Sequence, residues 1–223
     1  MELLHIKSCT SSQDKELSGY FENVISSLDI YNVFNPSFYC DENVKIFAFR
    51  AILKGSKELS SFISIEDQKC RSIKNISTDF HKELGSICLI DPKIAQINGD
   101  FYITFNSGWM PKGNDIFIMK IYPEMESPKR ILYKNRQKQE RNWAFFSEQG
   151  DIYALYWLNP LRILKVGRIN PKTWEMEEYY SEKEKNNEFP KDLTIGTQLS
   201  KLNNKYYFVG HKKIYLWRKK IYF

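Results

Sequence analysis

The chain has 223 residues and a net charge of +6, with 42% hydrophobic and 27% charged residues. That length and balance bury enough apolar surface to fold without staples, which excludes a disordered polymer, a collagen-like fibre and a disulfide-dense miniprotein. No stretch approaches the roughly 18 apolar residues of a membrane-spanning helix, and the residues after Met1 lack an apolar run behind a basic one, so no secretory signal is expected. Cys9, Cys40, Cys70 and Cys88 form no Cys-x-x-Cys pair and lack metal-ligand spacing. Free thiols in a reducing cytoplasm are the expectation, with no metal and no resident cofactor. The lysine excess is scattered along the chain, which suits a solvated surface, so neither nucleic acid nor membrane is an expected partner.

In chain order, residues 1–30 are the least patterned and form a closing segment, with Asp14 to Leu28 reading as a short helix or an outer strand. From Tyr31 onward the chain turns β-rich, and its aromatic residues, 15% of the total, recur in register. Asn43 to Arg50, Asn98 to Phe105, Gln149 to Tyr156 and Asn203 to Gly210 each open on an Asn or Gln turn. Each continues through a charged residue into β-branched and aromatic positions. Asn-Gly, Gln-Gly and Asn-Asn are hairpin turn chemistry. The equivalent aromatics Phe47, Tyr102, Tyr153 and Tyr207 recur at roughly 50-residue steps, the period of propeller blades. The predicted fold is an all-β propeller in a single domain over 1–223, with units at about 31–80, 81–135, 136–190 and 191–223. Third strands are expected at Asp115 to Tyr122 and Leu161 to Ile169, and a charged surface excursion from Glu177 to Asn187. The strand-like ending Ile214 to Phe223 is expected to pair within the fourth unit, because its aromatics are too apolar to leave in water.

A second register runs through Pro36, Asp91, Asn142 and Gly196, each nine residues ahead of the charged position of its unit. These fall on the first strand of each repeat, which lines the central channel of a propeller. Asn35, Asp91 and Asn142 are therefore expected to face one channel, with Arg50, Glu140 and Arg141 close by. Plain turn and edge hydrogen bonding explains Ser37 or Thr197 well. It explains the gathering of Asp91, Glu140, Arg141 and Arg50 poorly.

Asn35-Pro36-Ser37 leads to a strand ending at Arg50. Asp91-Pro92-Lys93 precedes Asn98 to Phe105, then come Arg141-Asn142-Trp143 and a Gly196-Thr197 strand running to His211. This order resembles the five-bladed β-propeller family of β-mannoside phosphorylases and related mannosidases and mannosyltransferases. More widely it resembles five-bladed glycosidases of the arabinanase and fructosidase type. The resemblance implies that Asp91 is the acid assisting the leaving sugar. It implies that Arg50, Lys93, Arg141 and His211 hold inorganic phosphate or a nucleotide-sugar donor, and that Asn142 and Trp143 shape the sugar subsite beside Asn35. Two positions depart from the family, Ile90 where it has Glu and Lys93 where it has Arg. Its five blades contrast with four repeats here, so the fifth is expected incomplete or missing.

One axial acid among several cations suits phosphate as nucleophile, since a second carboxylate would repel it. Glu140 stays open as a base for water, and Trp109, Trp143 and Trp157 offer faces for stacked sugars, although Trp143 and Trp157 are more often blade-packing residues. The expected activity is phosphorolysis or transfer of a β-mannoside-like unit, with an oligosaccharide and phosphate as partners and homo-oligomerisation left open. A non-catalytic propeller that binds a glycan or protein is the other reading.

Overall fold

The computed structural model describes residues 15–80, 84, 89–108, 113–183, 189–190, 193–216 and 219–222. It is all-β, with 60% strand and 7% helix, and among the described residues no helix is long and apolar enough to cross a membrane. Helix α1 (Lys15–Ser26) takes the place where a helix or an outer strand was expected. It leads into an antiparallel meander of β1 (Ile30–Cys40), β2 (Val44–Leu53), β3 (Leu59–Asp67) and β4 (Arg71–Asn75). Helix α2 (Ile76–Asp79) follows, capped by the Asn75 side chain, which accepts from the Thr78 amide.

Two further meanders come next. The second is β5 (Ile90–Ile97), β6 (Asp100–Asn106), β7 (Ile116–Tyr122) and β8 (Lys129–Tyr133). The third is β9 (Ala144–Glu148), β10 (Asp151–Leu158), β11 (Leu161–Ile169) and β12 (Thr173–Ser181). Their outer strands β8 and β12 pair in parallel, so the eight strands form one sheet in the order β5-β6-β7-β8-β12-β11-β10-β9. Its two edge strands, β5 and β9, pack against each other, which leaves the sheet nearly closed and barrel-like. The charged stretch after Glu177 is not yet a loop. It continues β12 to Ser181 because Glu177 and Glu178 lie opposite Lys165 and Leu164 in the ladder; residues 184–188 of that stretch lie outside the described residues.

The last unit contains β13 (Leu193–Ile195), β14 (Ser200–Leu202), β15 (Lys205–Tyr207), β16 (Gly210–Leu216) and β17 (Lys219–Tyr222). Strands β14 and β15 form a hairpin, β13 pairs with β16, and β16 pairs with β17. Lys213–Leu216 and Lys219–Tyr222 thus pair within the fourth unit, while Trp217, Arg218 and Phe223 lie outside the described residues.

Local chemistry sets the hairpins. Asn98-Gly99, Gln149-Gly150 and Asn203-Asn204 all have both residues at positive φ, between 49° and 88°. That is the two-residue turn whose twist matches its flanking strands, and Asn and Gly adopt it at least cost. The first unit differs. Its β1–β2 loop is the three residues Asp41, Glu42 and Asn43, held by Asp41 Oδ1 accepting from the amides of Asn43 and Val44. Counting back nine from Lys45 therefore arrives one residue late. The structural partner of Asp91 and Asn142 is Asn35, not Pro36.

Alternation along the strands sorts the core. On β2, Ile46 and Ala48 pack with Ile94, Ile103 and Phe117 of the second unit, while Phe47, Phe49 and Ala51 pack with Tyr20 and Val24 of α1. Helix α1 thus covers the outer face of the first meander, and the Tyr20 hydroxyl meets Ser64 Oγ at 3.0 Å beneath it. Ile97, Ile118, Phe145 and Trp174 fill the interior of the eight-stranded sheet. On β10, Ala154 and Tyr156 face that interior, whereas Leu155 joins Phe189 and Ile195 under the fourth unit. Each Phe removed from water in these layers contributes about 2 kcal/mol, so the order of the layers is held by many such contacts.

Candidate functional site

Asn35, Asp91 and Asn142 sit in the left-handed region at φ 46°, 56° and 69°. Asn and Asp enter this region more readily than other side-chain-bearing residues, because their short polar groups bond locally. At the first two the ladder breaks, between Phe34 and Ser37 and between Ile90 and Lys93. A bulge of this kind re-aims its side chain out of the sheet. All three line one cavity of about 1280 Å³, together with Arg50, Lys93, Arg141 and His211.

Asp91 is the centre of the contacts. Its Oδ1 accepts from Arg50 Nη1 at 2.8 Å and from Asn35 Nδ2 at 2.5 Å. Its Oδ2 lies 3.9 Å from Arg141 Nη1. Asp91 is 9% exposed, the Arg50 side chain 18% and the Arg141 side chain 50%, so the cluster grades from floor to mouth. Lys93 Nζ donates to Asn142 Oδ1 at 2.9 Å. Burial pulls the Lys93 ammonium down to about 8; the Asp91 charge opposes that shift and the Arg141 charge adds to it. Asp91 is the one carboxylate among the described residues lining this cavity.

The fourth unit closes the cavity from the other side. Amides of Gly196 and Thr197 both donate to Val209 O, at 2.8 and 3.0 Å. A Cβ on Gly196 would stand 2.5 Å from that oxygen and 3.3 Å from His211 Nδ1. Glycine is required there by close approach, whereas the matching positions of the other units need a left-handed residue. His211 Nε2 lies 2.9 Å from Thr194 Oγ1. Phe38, Tyr207 and Phe208 add aromatic surface to the wall.

Two expected site residues lie elsewhere. Glu140 lines a neighbouring cavity of about 440 Å³, not the one holding Asp91. Its carboxylate accepts from the Gln137 amide at 2.5 Å and from the Tyr156 hydroxyl, and its backbone exchanges two bonds with the Asn114 side chain. Burial raises its pKa, and those hydrogen bonds and Arg136 partly offset the rise. Glu140 pins the loop between β8 and β9. Trp143 follows Asn142 in the chain, but its ring is buried in the core, edge-on to Tyr133 and Tyr156. Its neighbour is aimed at the cavity by a left-handed backbone that it does not share. Trp157 is partly exposed on the smaller cavity, and Trp109 lies outside the described residues.

The sequence reading missed what ties the units together beneath the site. Gln198, buried, accepts from the Phe145 amide at 2.6 Å and donates to Trp143 O at 2.9 Å and Thr104 Oγ1 at 3.1 Å. Ser37 Oγ accepts from the Ile94 amide at 3.0 Å and does the same between the first and second units. The only signal for Gln198 was an amide side chain among apolar neighbours after Gly196-Thr197. Fold and cavity together define an all-β protein with a deep pocket of mixed charge, acidic at its floor and cationic around it. No protein-family model matches the chain, and no curated protein matches it.

Proposed function

We propose that the chain is a four-unit β-propeller of the five-bladed glycosidase type and that its larger cavity carries out phosphorolysis or transfer of a β-mannoside-like unit. The carrying observation is the convergence of Asn35, Asp91 and Asn142, at equivalent left-handed positions, with Arg50, Lys93 and Arg141 on one cavity. Consecutive four-stranded meanders, with β1, β5 and the residues just before β9 at the cavity, support the propeller reading. In this reading Asp91 protonates the oxygen of the leaving sugar as the glycosidic C–O bond breaks. Phosphate, oriented by Lys93, Arg141 and His211, forms the new C–O bond and returns a proton to Asp91. Arg50 and Asn35 hold the acid in place. A lone carboxylate ringed by cations fits phosphate as the nucleophile better than water, which needs a base.

The test is release of sugar 1-phosphate from β-mannosides. Turnover should require phosphate and fall at least about 100-fold in Asp91→Asn. Phosphate titrated by calorimetry should bind wild type more tightly than Arg141→Ala, and more weakly as salt rises. Equal affinity in the two proteins refutes the proposed anion site.

One observation favours a second reading, a non-catalytic glycan-binding module. Asp91 Oδ1 is already used by Arg50 and Asn35, as in a structural staple between the first and second units. That reading expects glycan affinity to survive Asp91→Asn and no turnover in either protein.

A further inference from the structure

Several lysines on this surface pair with carboxylates. Lys54 meets Asp29 at 2.9 Å, Lys120 meets Asp100 at 2.6 Å, Lys165 meets Asp151 at 2.8 Å and Lys201 meets Glu148 at 2.6 Å. Lys93 differs in its partner: its Nζ donates to the neutral amide oxygen of Asn142. An amide accepts a hydrogen bond from an ammonium but does not hold the proton there as a carboxylate does. Around Lys93 stand Asp91 on its own strand, Arg50 from β2, Arg141 from the loop before β9 and His211 from β16. Aromatic surface from Phe38, Tyr207 and Phe208 shares the same cavity.

We propose that Lys93 is a covalent capture site for phosphorylated aldehydes, its amine forming an imine with the carbonyl while Arg141 and Arg50 attract the phosphate. The neutral amine adds to the carbonyl carbon, and the amine proton passes to the carbonyl oxygen. Water leaves and the C=N bond forms, with nothing oxidised or reduced. Two properties make Lys93 the reactive lysine. It lines a cavity that also gathers the Arg50 and Arg141 side chains, and its ammonium titrates near 8. At about pH 7.5 that leaves roughly 200-fold more neutral amine than an ordinary lysine offers. The aldehyde could be the open-chain end of a sugar phosphate or a heteroaromatic aldehyde phosphate. The capture does not depend on the cavity turning over glycosides.

Pyridoxal 5′-phosphate is the probe, followed by borohydride reduction of the imine and peptide mapping of the full chain. Label should concentrate on Lys93, at least about tenfold faster than on any exposed lysine. Millimolar inorganic phosphate should slow it, and pyridoxal without its phosphate should react weakly. Lys93→Arg should lose the label, while Lys205→Arg, on the rim of the same cavity, should keep it. Label spread over surface lysines, no protection by phosphate, or equal labelling of Lys93→Arg overturns the proposal. If Lys93→Arg does not fold, the wild-type map and phosphate protection decide it alone. Loss of glycoside turnover with the label retained would count against the proposed enzyme activity and not against this site.

Discussion

Asp91 and Arg50 come from different units, and their contact tests both the fold and the site. Replacing Asp91 by Asn is the cleanest perturbation, because Asn tolerates φ 56° and keeps an acceptor oxygen while removing the charge. At 2.8 Å the Arg50 pair has a gross attraction of about 6 kcal/mol for an effective dielectric near 20. With 9% and 18% exposure, both groups have given up most of their hydration, and that desolvation cancels more than half of the attraction. A net coupling of about 2 kcal/mol should remain. Urea unfolding of wild type, Asp91→Asn, Arg50→Met and the double variant gives that coupling as a double-mutant cycle. Asp91→Asn alone should cost about 2–3 kcal/mol, because it strands a half-buried guanidinium. A coupling below about 0.5 kcal/mol would refute the contact as a link between the first two units.

Gly196→Ala should destabilise the protein by about 1–3 kcal/mol, because the new methyl stands 2.5 Å from a backbone oxygen that two amides already use. Gly210→Ala should cost less in the same denaturation assay, since its nearest neighbour at 2.9 Å is the movable end of Leu193; equal costs would contradict the placement of the fourth unit. Lys93 should also leave a pH signature. Its folded pKa of about 8 lies below the unfolded 10.5, so the unfolded chain binds more protons between those values and stability rises with pH across that window. The gain over Lys93→Met should reach about 1–3 kcal/mol by pH 10.5, after discounting for partial solvent screening. A difference between the two proteins that stays flat from pH 7 to 10.5 would mean that Lys93 is not desolvated.

The turns were legible because their cause is local. Asn98-Gly99, Gln149-Gly150 and Asn203-Asn204 state their backbone conformation in their own side chains, and the aromatic run after each one follows from strand preference. Asp91 and Asn142 were legible as equivalents because identical turn lengths preserve the count between turn and site. In the first unit the count fell on Pro36, one residue late, where a three-residue loop changed it, although Asn35 was expected at the channel. Trp143 was legible as an aromatic of the right repeat, and packing was the commoner expectation for it; the structure buries it in the core.

The sequence by itself determined the all-β character, the hairpin turns and the chemical types that gather at the cavity. All of these are written within a few residues of one another, through turn preference and the two-residue alternation of a strand. Only the tertiary structure decided that Glu140 turns away from Asp91 to pin a loop, that Gln198 ties three units together and that α1 covers the face of the first meander. It also decided that Lys93 meets an amide instead of a carboxylate. Each of these depends on which distant side chain arrives at a given point, 16 to 94 residues away along the chain. A bulge or one extra loop residue changes that outcome without altering any local preference, because it rotates a side chain from one face of the sheet to the other.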